Sequence, residues 1–169
     1  IAIIALFLVF RNSAFVLKSP VLNRFSSISF KEKTIESRFL IWEISLEGFK
    51  EHPLLGWGPE NYNLLFNKYY NPKLWGQEQW FDRAHNVFFD WLINAGALGL
   101  LAYLSIFVSA IYAVFSLYKR EKINSSELAL FSYLFIAYGF HNLFVFDNLT
   151  SYFLFFSILG YIHYKYTEN

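Results

Sequence analysis

Uncharged apolar runs and one long polar stretch divide the chain, and the runs predict helices in a membrane. The apolar runs cover residues 1–10, 97–117, 128–146 and 149–164. A ten-residue helix rises only ~15 Å, about half of a ~30 Å hydrocarbon core. We therefore expect residues 1–10 to be the end of a transmembrane helix that begins upstream, in a chain that is a fragment of a longer protein. The pattern predicts an all-α polytopic membrane protein.

The polar stretch, residues 11–86, has helical periodicity of its own. Apolar side chains recur there at steps of four and three residues, at Ile35, Phe39, Trp42, Leu46 and Phe49. These steps predict an amphipathic helix with Thr34 as its N-cap and Pro53 just beyond its end. A second short helix is predicted over residues 60–70, with Pro72 terminating it. We expect residues 11–86 to form a small helical loop domain on the extracytoplasmic face of the membrane.

The short loops set the predicted orientation, because they carry the reliable positive-charge signal. Residues 118–127 contain three Lys or Arg residues, whereas the short loop at residues 147–148 contains none. We therefore place residues 118–127 and the tail, residues 165–169, in the cytoplasm. Parity then places residues 11–86 outside, and residues 87–117 form an interfacial start followed by a transmembrane helix. The ten Lys or Arg residues of the long loop do not oppose this, because long loops translocate largely regardless of charge.

Composition supports a membrane protein and narrows the chemistry. Hydrophobic residues make up 56% of the 169-residue chain, against ~45–50% apolar residues in an ordinary soluble domain. A net charge of +1 gives no argument for nucleic acid binding. The chain has no cysteine, which excludes disulfides and thiolate metal sites. The four histidines lack metal-binding spacing and no nucleotide fingerprint occurs, so we expect neither a metal nor another cofactor.

The most reactive group of side chains stands where the long loop meets an apolar run. Asp82, Arg83 and His85 lie together in the segment FDRAHN, directly before a stretch that enters the membrane. A histidine with its ordinary pKa of ~6.5 can accept a proton near neutral pH, as a general base does. The alternative is that His85 only caps the helix or lies at the membrane interface.

Two arginines have the chemistry of phosphate ligands. Arg38 lies one turn before Trp42, beside the apolar face of the first loop helix. A planar guanidinium there, or on Arg83, can bind a phosphate through two parallel hydrogen bonds. The alternatives are a surface arginine at position 38 and a salt bridge from Arg83 to Asp82 or Glu78.

His141 is a further candidate, because it lies within the third apolar run, in the segment GFHNLFVFD. Ionisable residues at membrane depth usually face the protein interior and take part in function. An interfacial position near the outer end of the helix is the alternative. His52 precedes a proline in a turn and is interpreted as structural.

Three segments resemble, in their order, the C-terminal part of the bacterial O-antigen ligase and polymerase family. They are ESRFLIW, FKEHPLLGWGPENY and DRAHNVFFDWLINAGALGLLAYL, and the later HNLFVFDN resembles the last loop of the family. The matching positions are Arg38, Trp42, His52, Pro53, Leu54, Gly56, Gly58, His85, Asn86, Gly96 and Gly99. The resemblance covers residues 36–148. Each motif is loose, and the specificity lies in the ordered set.

The resemblance implies a multi-pass protein of the bacterial inner membrane that acts in cell-surface polysaccharide and lipopolysaccharide biosynthesis. Members of the family transfer a glycan from an undecaprenyl pyrophosphate donor to an acceptor hydroxyl on a glycan, lipid or protein. By the same resemblance, His85 is expected to be the catalytic base and Arg38 to contact the pyrophosphate. Arg83 is expected at the pyrophosphate because of its own phosphate-binding chemistry. Asp82 and His141 are secondary site residues. The implied partners are the lipid-linked oligosaccharide donor, the acceptor and the lipid bilayer.

Two other functions remain open from the residues alone. A transporter or channel subunit for an anionic lipid or solute would use Arg38, Arg83 and His141 for binding without chemistry. Such sites usually lie near the bilayer midplane on broken helices, whereas the predicted cluster lies on the outer loop, which favours an enzyme. A non-catalytic membrane anchor is the third hypothesis. Ligase and polymerase differ only in the acceptor, and the sequence does not distinguish them.

Overall fold

All regular structure in the described part of the chain is helical. The computed structural model describes residues 9–10, 12–19, 21–22, 33–76 and 79–168. The helices, in chain order, are α1 (Ala14–Lys18), α2 (Lys33–Glu51), α3 (Tyr62–Lys68), the 3-10 helix Pro72–Leu74, α4 (Val87–Lys119), α5 (Ser125–Asn142) and α6 (Leu149–Thr167). The chain divides into two units, Ile1–Ser37 and Arg38–Asn169. In the first unit, Ser13 caps α1 by accepting a hydrogen bond from the amide of Val16 (3.4 Å).

The two helices predicted in the polar stretch are present as α2 and α3. α2 ends at Glu51, two residues before Pro53, and Pro72 begins the 3-10 helix that follows α3. The prediction that Thr34 caps α2 is wrong. Thr34 already lies inside the helix, and its carbonyl accepts a hydrogen bond from the Ser37 hydroxyl (3.0 Å). A true N-cap keeps a non-helical backbone in front of the first turn.

The buried face of α2 is rotated from the face that the apolar pattern predicts. Phe39 and Leu46 are exposed, whereas the buried positions of α2 in the second unit are Ile41, Ile44, Ser45 and Gly48. The small residues let α3 approach closely, because a Cβ built on Gly48 would lie only 1.9 Å from Leu65 Cδ1. Packing of small against large side chains, not the sum of hydrophobicity, therefore selects the face.

A hydrophobic core joins α2 and α3 to the first turns of α4. Its fully or nearly buried members include Ile41, Leu65, Phe66 and Ile93. Tyr62 is buried in the same core, and its hydroxyl lies 2.8 Å from that of Ser45. Burial raises the pKa of the Tyr62 hydroxyl well above its usual range, so this group stays protonated and acts as a structural hydrogen-bonding partner. The polar loop thus contains a packed helical body.

Helix α4 is broken at Gly96, where the backbone has φ 67° and ψ −166°. A break of this kind frees backbone donors and acceptors that a continuous helix would pair. The segment 53–58, which links α2 to α3, provides their partners. Its hydrogen bonds to α4 are Trp57 N to Ile93 O (2.7 Å), Gly58 N to Asn94 O (3.1 Å), Ala97 N to Pro53 O (2.8 Å) and Leu98 N to Leu54 O (3.3 Å). Residues 53–58 are therefore attached to α4 through backbone hydrogen bonds.

Glycines are required at both sides of this contact. Gly56 and Gly96 have φ of 71° and 67°. These values lie in the left-handed region, which residues with a side chain rarely adopt. A Cβ on Gly96 would lie 2.3 Å from the carbonyl atoms of Leu54, and a Cβ on Gly56 would lie 2.3 Å from the carbonyl oxygen of Ile93. The two backbones thus touch directly, with no room for a side chain between them.

One helix in the described residues, Val87–Lys119, is long and apolar enough to cross a membrane by length and composition. The part after the break, residues 97–119, rises roughly 34 Å at 1.5 Å per residue, which exceeds a ~30 Å hydrocarbon core. Helices α5 and α6 pack against α4 through a second apolar core that includes Val114, Leu117, Phe131 and Phe155.

The predicted polytopic arrangement stays a prediction beyond α4. The third and fourth apolar runs, residues 128–146 and 149–164, correspond to α5 and α6, but α5 ends at Asn142. Residues 1–8 of the first run lie outside the described residues. Asn124 and Asn148 each close a capping box at the start of α5 and α6, which explains why both helices begin sharply after a short loop.

Candidate functional site

Side chains of α2 and of the turn before α4 contact the segment that follows α5. Arg38 Nη1 donates to the carbonyl of Phe144 (2.6 Å), and Asn86 Nδ2 donates to the carbonyl of Leu143 (3.0 Å). Leu143 and Phe144 directly follow the last residue of α5, so these two side chains hold the chain just beyond the end of this helix. Arg38 and Phe144 are 106 positions apart in the chain.

Phe146 brings Arg83 and His85 to the same place. The Arg83 guanidinium carbon lies 5.6 Å from the centre of the Phe146 ring, a cation–π distance. The His85 ring packs between Phe146 and Phe81, with centroid distances of 5.7 Å to each. The structure therefore gathers Arg38, Arg83 and His85 around one short segment, residues 143–146.

A cavity of about 470 Å³ opens beside Arg83. Its polar walls are Arg83, Asp90, Asn94, Asp147 and Tyr152, and its apolar walls are Leu55, Pro59, Val87, Trp91 and Ala95, with Gly58 completing the lining. One guanidinium and two carboxylates face this space, so the charged groups sum to a slight negative charge. Hydroxyl groups of a ligand would find both donors and acceptors here.

Arg83 forms its ion pair with Glu60, at 3.6 Å, and not with Asp82. Glu78, the other predicted partner, lies outside the described residues. The side chains of Arg83 and Glu60 are 41% and 87% exposed, and such exposed pairs contribute only ~0–1 kcal/mol. Because a guanidinium has five N–H donors, this ion pair leaves Arg83 able to donate hydrogen bonds to a ligand.

Neither secondary candidate lines this cavity, and neither Arg38 nor His85 is among its lining residues. His141 is exposed and lines a separate apolar groove of about 450 Å³ between α5 and α6. Asp82 is exposed and is not among the cavity residues. His52 is exposed, and its ring meets the Trp57 ring edge-on at 5.0 Å. Within the part of the chain that the structure describes, no group of three His, Asp or Glu side chains has the arrangement of a metal site.

Sequence reasoning missed Asp90, which lies in the first turn of an apolar helix. Its Oδ1 accepts the amide hydrogen of Ala84 (2.8 Å), and it also lines the cavity. The one signal in the sequence is a carboxylate inside an otherwise apolar run, which usually faces the protein interior.

Asp147 and Asn142 form a second polar group that the sequence did not single out. Asp147 Oδ1 accepts hydrogen bonds from the hydroxyls of Tyr138 (2.5 Å) and Ser151 (3.2 Å). The fully buried Asn142 donates to the Tyr103 hydroxyl (2.9 Å). Asp147 Oδ2 and Asn142 Oδ1 have no hydrogen-bond partner in the described part of the chain. These contacts tie the ends of α5 and α6 to α4 beside the cavity.

The fold and the site together define a class of protein. A helical body is attached to a broken apolar helix, and arginine and histidine side chains gather where the two meet. The family model described as O-antigen ligase matches residues 1–104. The chain belongs to the O-antigen ligase family. No curated protein and no solved structure matches the chain.

Membership gives the general context of the activity. The family is a membrane protein family of polysaccharide biosynthesis, with glycosyltransferase-like activity. The matched range includes Arg38, Arg83 and His85. It also includes Gly56 and Gly96, the two glycines at the contact between residues 53–58 and α4. The match ends before α5, so the contacts of residues 143–146 with the three side chains are seen only in the structure.

Proposed function

We propose that the protein transfers a glycan from an undecaprenyl-pyrophosphate-linked donor to an acceptor hydroxyl at the outer face of the cytoplasmic membrane. The observation that carries the proposal is that Arg83 and His85, just before the broken helix α4, both contact the ring of Phe146. A lipid-linked donor has its phosphates at headgroup height and its tail among the helices. Its reacting groups therefore require residues where a loop meets a membrane helix.

In the proposed reaction, the acceptor oxygen attacks the anomeric carbon of the donor sugar. His85 accepts the proton of the acceptor hydroxyl, and the bond between the anomeric carbon and the pyrophosphate oxygen breaks. The electron pair leaves with undecaprenyl pyrophosphate, which is a good leaving group and needs charge neutralisation more than protonation. Arginines can supply that neutralisation without a metal ion.

Arg83 and Arg38 are the groups proposed for the pyrophosphate. Arg83 lies in the cavity wall with a weak ion pair. Arg38 uses one N–H on the carbonyl of Phe144, and a guanidinium has five N–H donors. That contact also orients its plane, which favours two parallel hydrogen bonds to a phosphate.

The cavity beside Arg83 is the proposed place of the donor sugar. Asp90 and Asp147 in its walls would repel a second phosphate group, and the Asp147 carboxylate can accept hydrogen bonds from hydroxyls. Asn94 and Tyr152 add donors and acceptors, and Trp91 adds an apolar surface. The charges thus favour a neutral, hydroxyl-rich group next to the pyrophosphate.

Removal of either arginine is expected to lower transfer. We expect Arg83→Ala and Arg38→Ala to reduce kcat/KM about tenfold or more, as for a lost charge-assisted contact of ~1.5–3 kcal/mol. Lysine should rescue poorly, because it lacks the planar fork. The measurement is transfer from a purified lipid-linked donor by the full-length protein.

Arg120→Ala is the matched control for both arginines. Arg120 lies at the other end of α4, with its guanidinium 4.9 Å from the Tyr166 ring. Its replacement should leave transfer unchanged. Wild-type turnover of Arg38→Ala and Arg83→Ala would remove both arginines from the proposed site.

The proposed location requires the loop domain to lie outside the cytoplasm. The chain has no native cysteine, so single cysteines at Ser27 and Ser125 report the side on which each residue lies. With an impermeant thiol reagent and a permeabilised outer barrier, we expect Ser27→Cys to be labelled and Ser125→Cys to be protected. Labelling of Ser125→Cys alone would reverse the orientation.

A further inference from the structure

The backbone of His85 has φ 52°, in the left-handed region. Residues with a Cβ adopt this conformation uncommonly, and it persists where the surrounding structure holds it. Both neighbours of His85 are held by hydrogen bonds: Ala84 through its backbone to side chains of α2 and α4, and Asn86 through its side chain to α4 and to Leu143. These contacts make the turn before α4 a constrained element and not a loose loop.

Two side chains hold the residue before His85. The amide of Ala84 donates to Asp90 Oδ1 (2.8 Å), and the carbonyl of Ala84 accepts from Trp42 Nε1 (3.0 Å). Ala84 itself is fully buried. Both of its backbone polar groups therefore depend on side chains of α4 and α2.

Asn86 holds the other side of His85. Its Oδ1 accepts hydrogen bonds from the amides of Phe88 (2.9 Å) and Phe89 (3.2 Å), and its Nδ2 donates to the carbonyl of Leu143. Asn86 is therefore the N-cap of α4. Because the cap is already provided, Asp90 is not needed to start the helix, and its bond to Ala84 requires another explanation.

We propose that Asp90 is a positioning residue for His85. Its carboxylate holds Ala84, and with Trp42 it keeps the His85 backbone left-handed and the imidazole between Phe81 and Phe146. The inference rests on the proposed function, in which His85 accepts the acceptor proton. A base displaced by about 1 Å can lose roughly 10²-fold in rate.

The first test compares two replacements of Asp90 in the full-length protein. Asp90→Ala removes the acceptor, so kcat should fall about tenfold to a hundredfold, while donor affinity and the number of donor-binding molecules stay unchanged. Asp90→Asn keeps an acceptor oxygen for Ala84 and should retain most of the kcat. Glu43→Ala, on the exposed surface of α2, is the control and should behave as wild type.

Two outcomes of this comparison would overturn the positioning role. If Asp90→Asn is as impaired as Asp90→Ala, the charge of Asp90 is needed and the residue acts in its own right. If donor-binding molecules are lost in proportion to activity, Asp90 only maintains the fold.

A double-mutant cycle with His85→Gln tests whether Asp90 acts through His85. Asp90→Ala should cause no further loss of rate in the His85→Gln background, because residues that act as a unit are non-additive. Full additivity would overturn the inference. The outcome also separates the two proposals. An active His85→Gln would refute the base role, whereas an inactive His85→Gln with a fully active Asp90→Ala would refute only the positioning role.

Discussion

Replacement of His85 by glutamine is expected to reduce glycan transfer by roughly 10²–10⁴-fold, the usual contribution of a general base. Glutamine retains hydrogen-bonding capacity but cannot accept the proton of the acceptor hydroxyl. Donor binding should survive, because the contacts proposed for the lipid pyrophosphate come from the arginines and the apolar helices. The measurement is turnover of a purified lipid-linked donor by the full-length protein, with donor affinity measured separately.

The pH dependence and a second histidine provide the controls. Wild-type turnover should fall as the pH is lowered, because a protonated imidazole cannot accept another proton. His52→Gln should remain active, because the His52 side chain is exposed and its ring meets Trp57, away from residues 143–146. Near-normal turnover of His85→Gln would assign the base to another residue and leave His85 as part of the turn before α4.

Alanine at Gly96 or Gly56 is expected to destabilise the protein by roughly 3 kcal/mol or more. Left-handed backbone costs ~1–2 kcal/mol for a residue with a Cβ, and each buried hydrogen bond that is broken leaves a group costing ~1–3 kcal/mol. The new Cβ would lie 2.3 Å from backbone atoms of the opposite segment. Separation of the segments to relieve this clash would break hydrogen bonds between residues 53–58 and α4.

The expected loss corresponds to about a hundredfold or more in the ratio of folded to unfolded protein. Thermal unfolding and protease resistance of the full-length protein would measure it. Gly139→Ala is the control, because a Cβ at Gly139 meets no atom within 4 Å and alanine favours a helix over glycine by ~1 kcal/mol. If Gly96→Ala is as stable as Gly139→Ala, segment 53–58 does not hold the break in α4.

The glycine pair and the His85 turn give one physical account of the motifs. The HPLLGWG segment places its backbone against the break that Gly96 makes, and the RAHN segment ends in the cap of the same helix. The hydrogen bonds of residues 53–58 hold this segment on α4. The cap formed by Asn86 sets the position of the neighbouring His85 relative to α4. A family motif of loosely spaced glycines thus corresponds to one structural junction.

The sequence by itself determines those features of this protein that depend on local interactions along the chain. The steps of three and four residues predict α2, and the prolines predict where α2 ends and where α3 is followed by a new turn. The long apolar run predicts the part of α4 that is long and apolar enough to cross a membrane. The ordered motifs predict the family, which the family match confirms, and they include Arg38 and His85. Each helix prediction depends on residues close together in the chain, and the family prediction depends on the order of short motifs along it.

Other features are decided only by the tertiary structure. The burial of Gly48 in place of Phe39 depends on the close approach of Leu65. The hydrogen bond from Arg38 to the carbonyl of Phe144, just beyond α5, joins residues 106 positions apart. The hydrogen-bond partners of the backbone groups freed by the break at Gly96 lie about 40 positions earlier in the chain, and buried backbone groups require such partners. Hydrogen-bond partners and tight packing depend on which segments fold together, so they leave no periodic or compositional trace in the sequence.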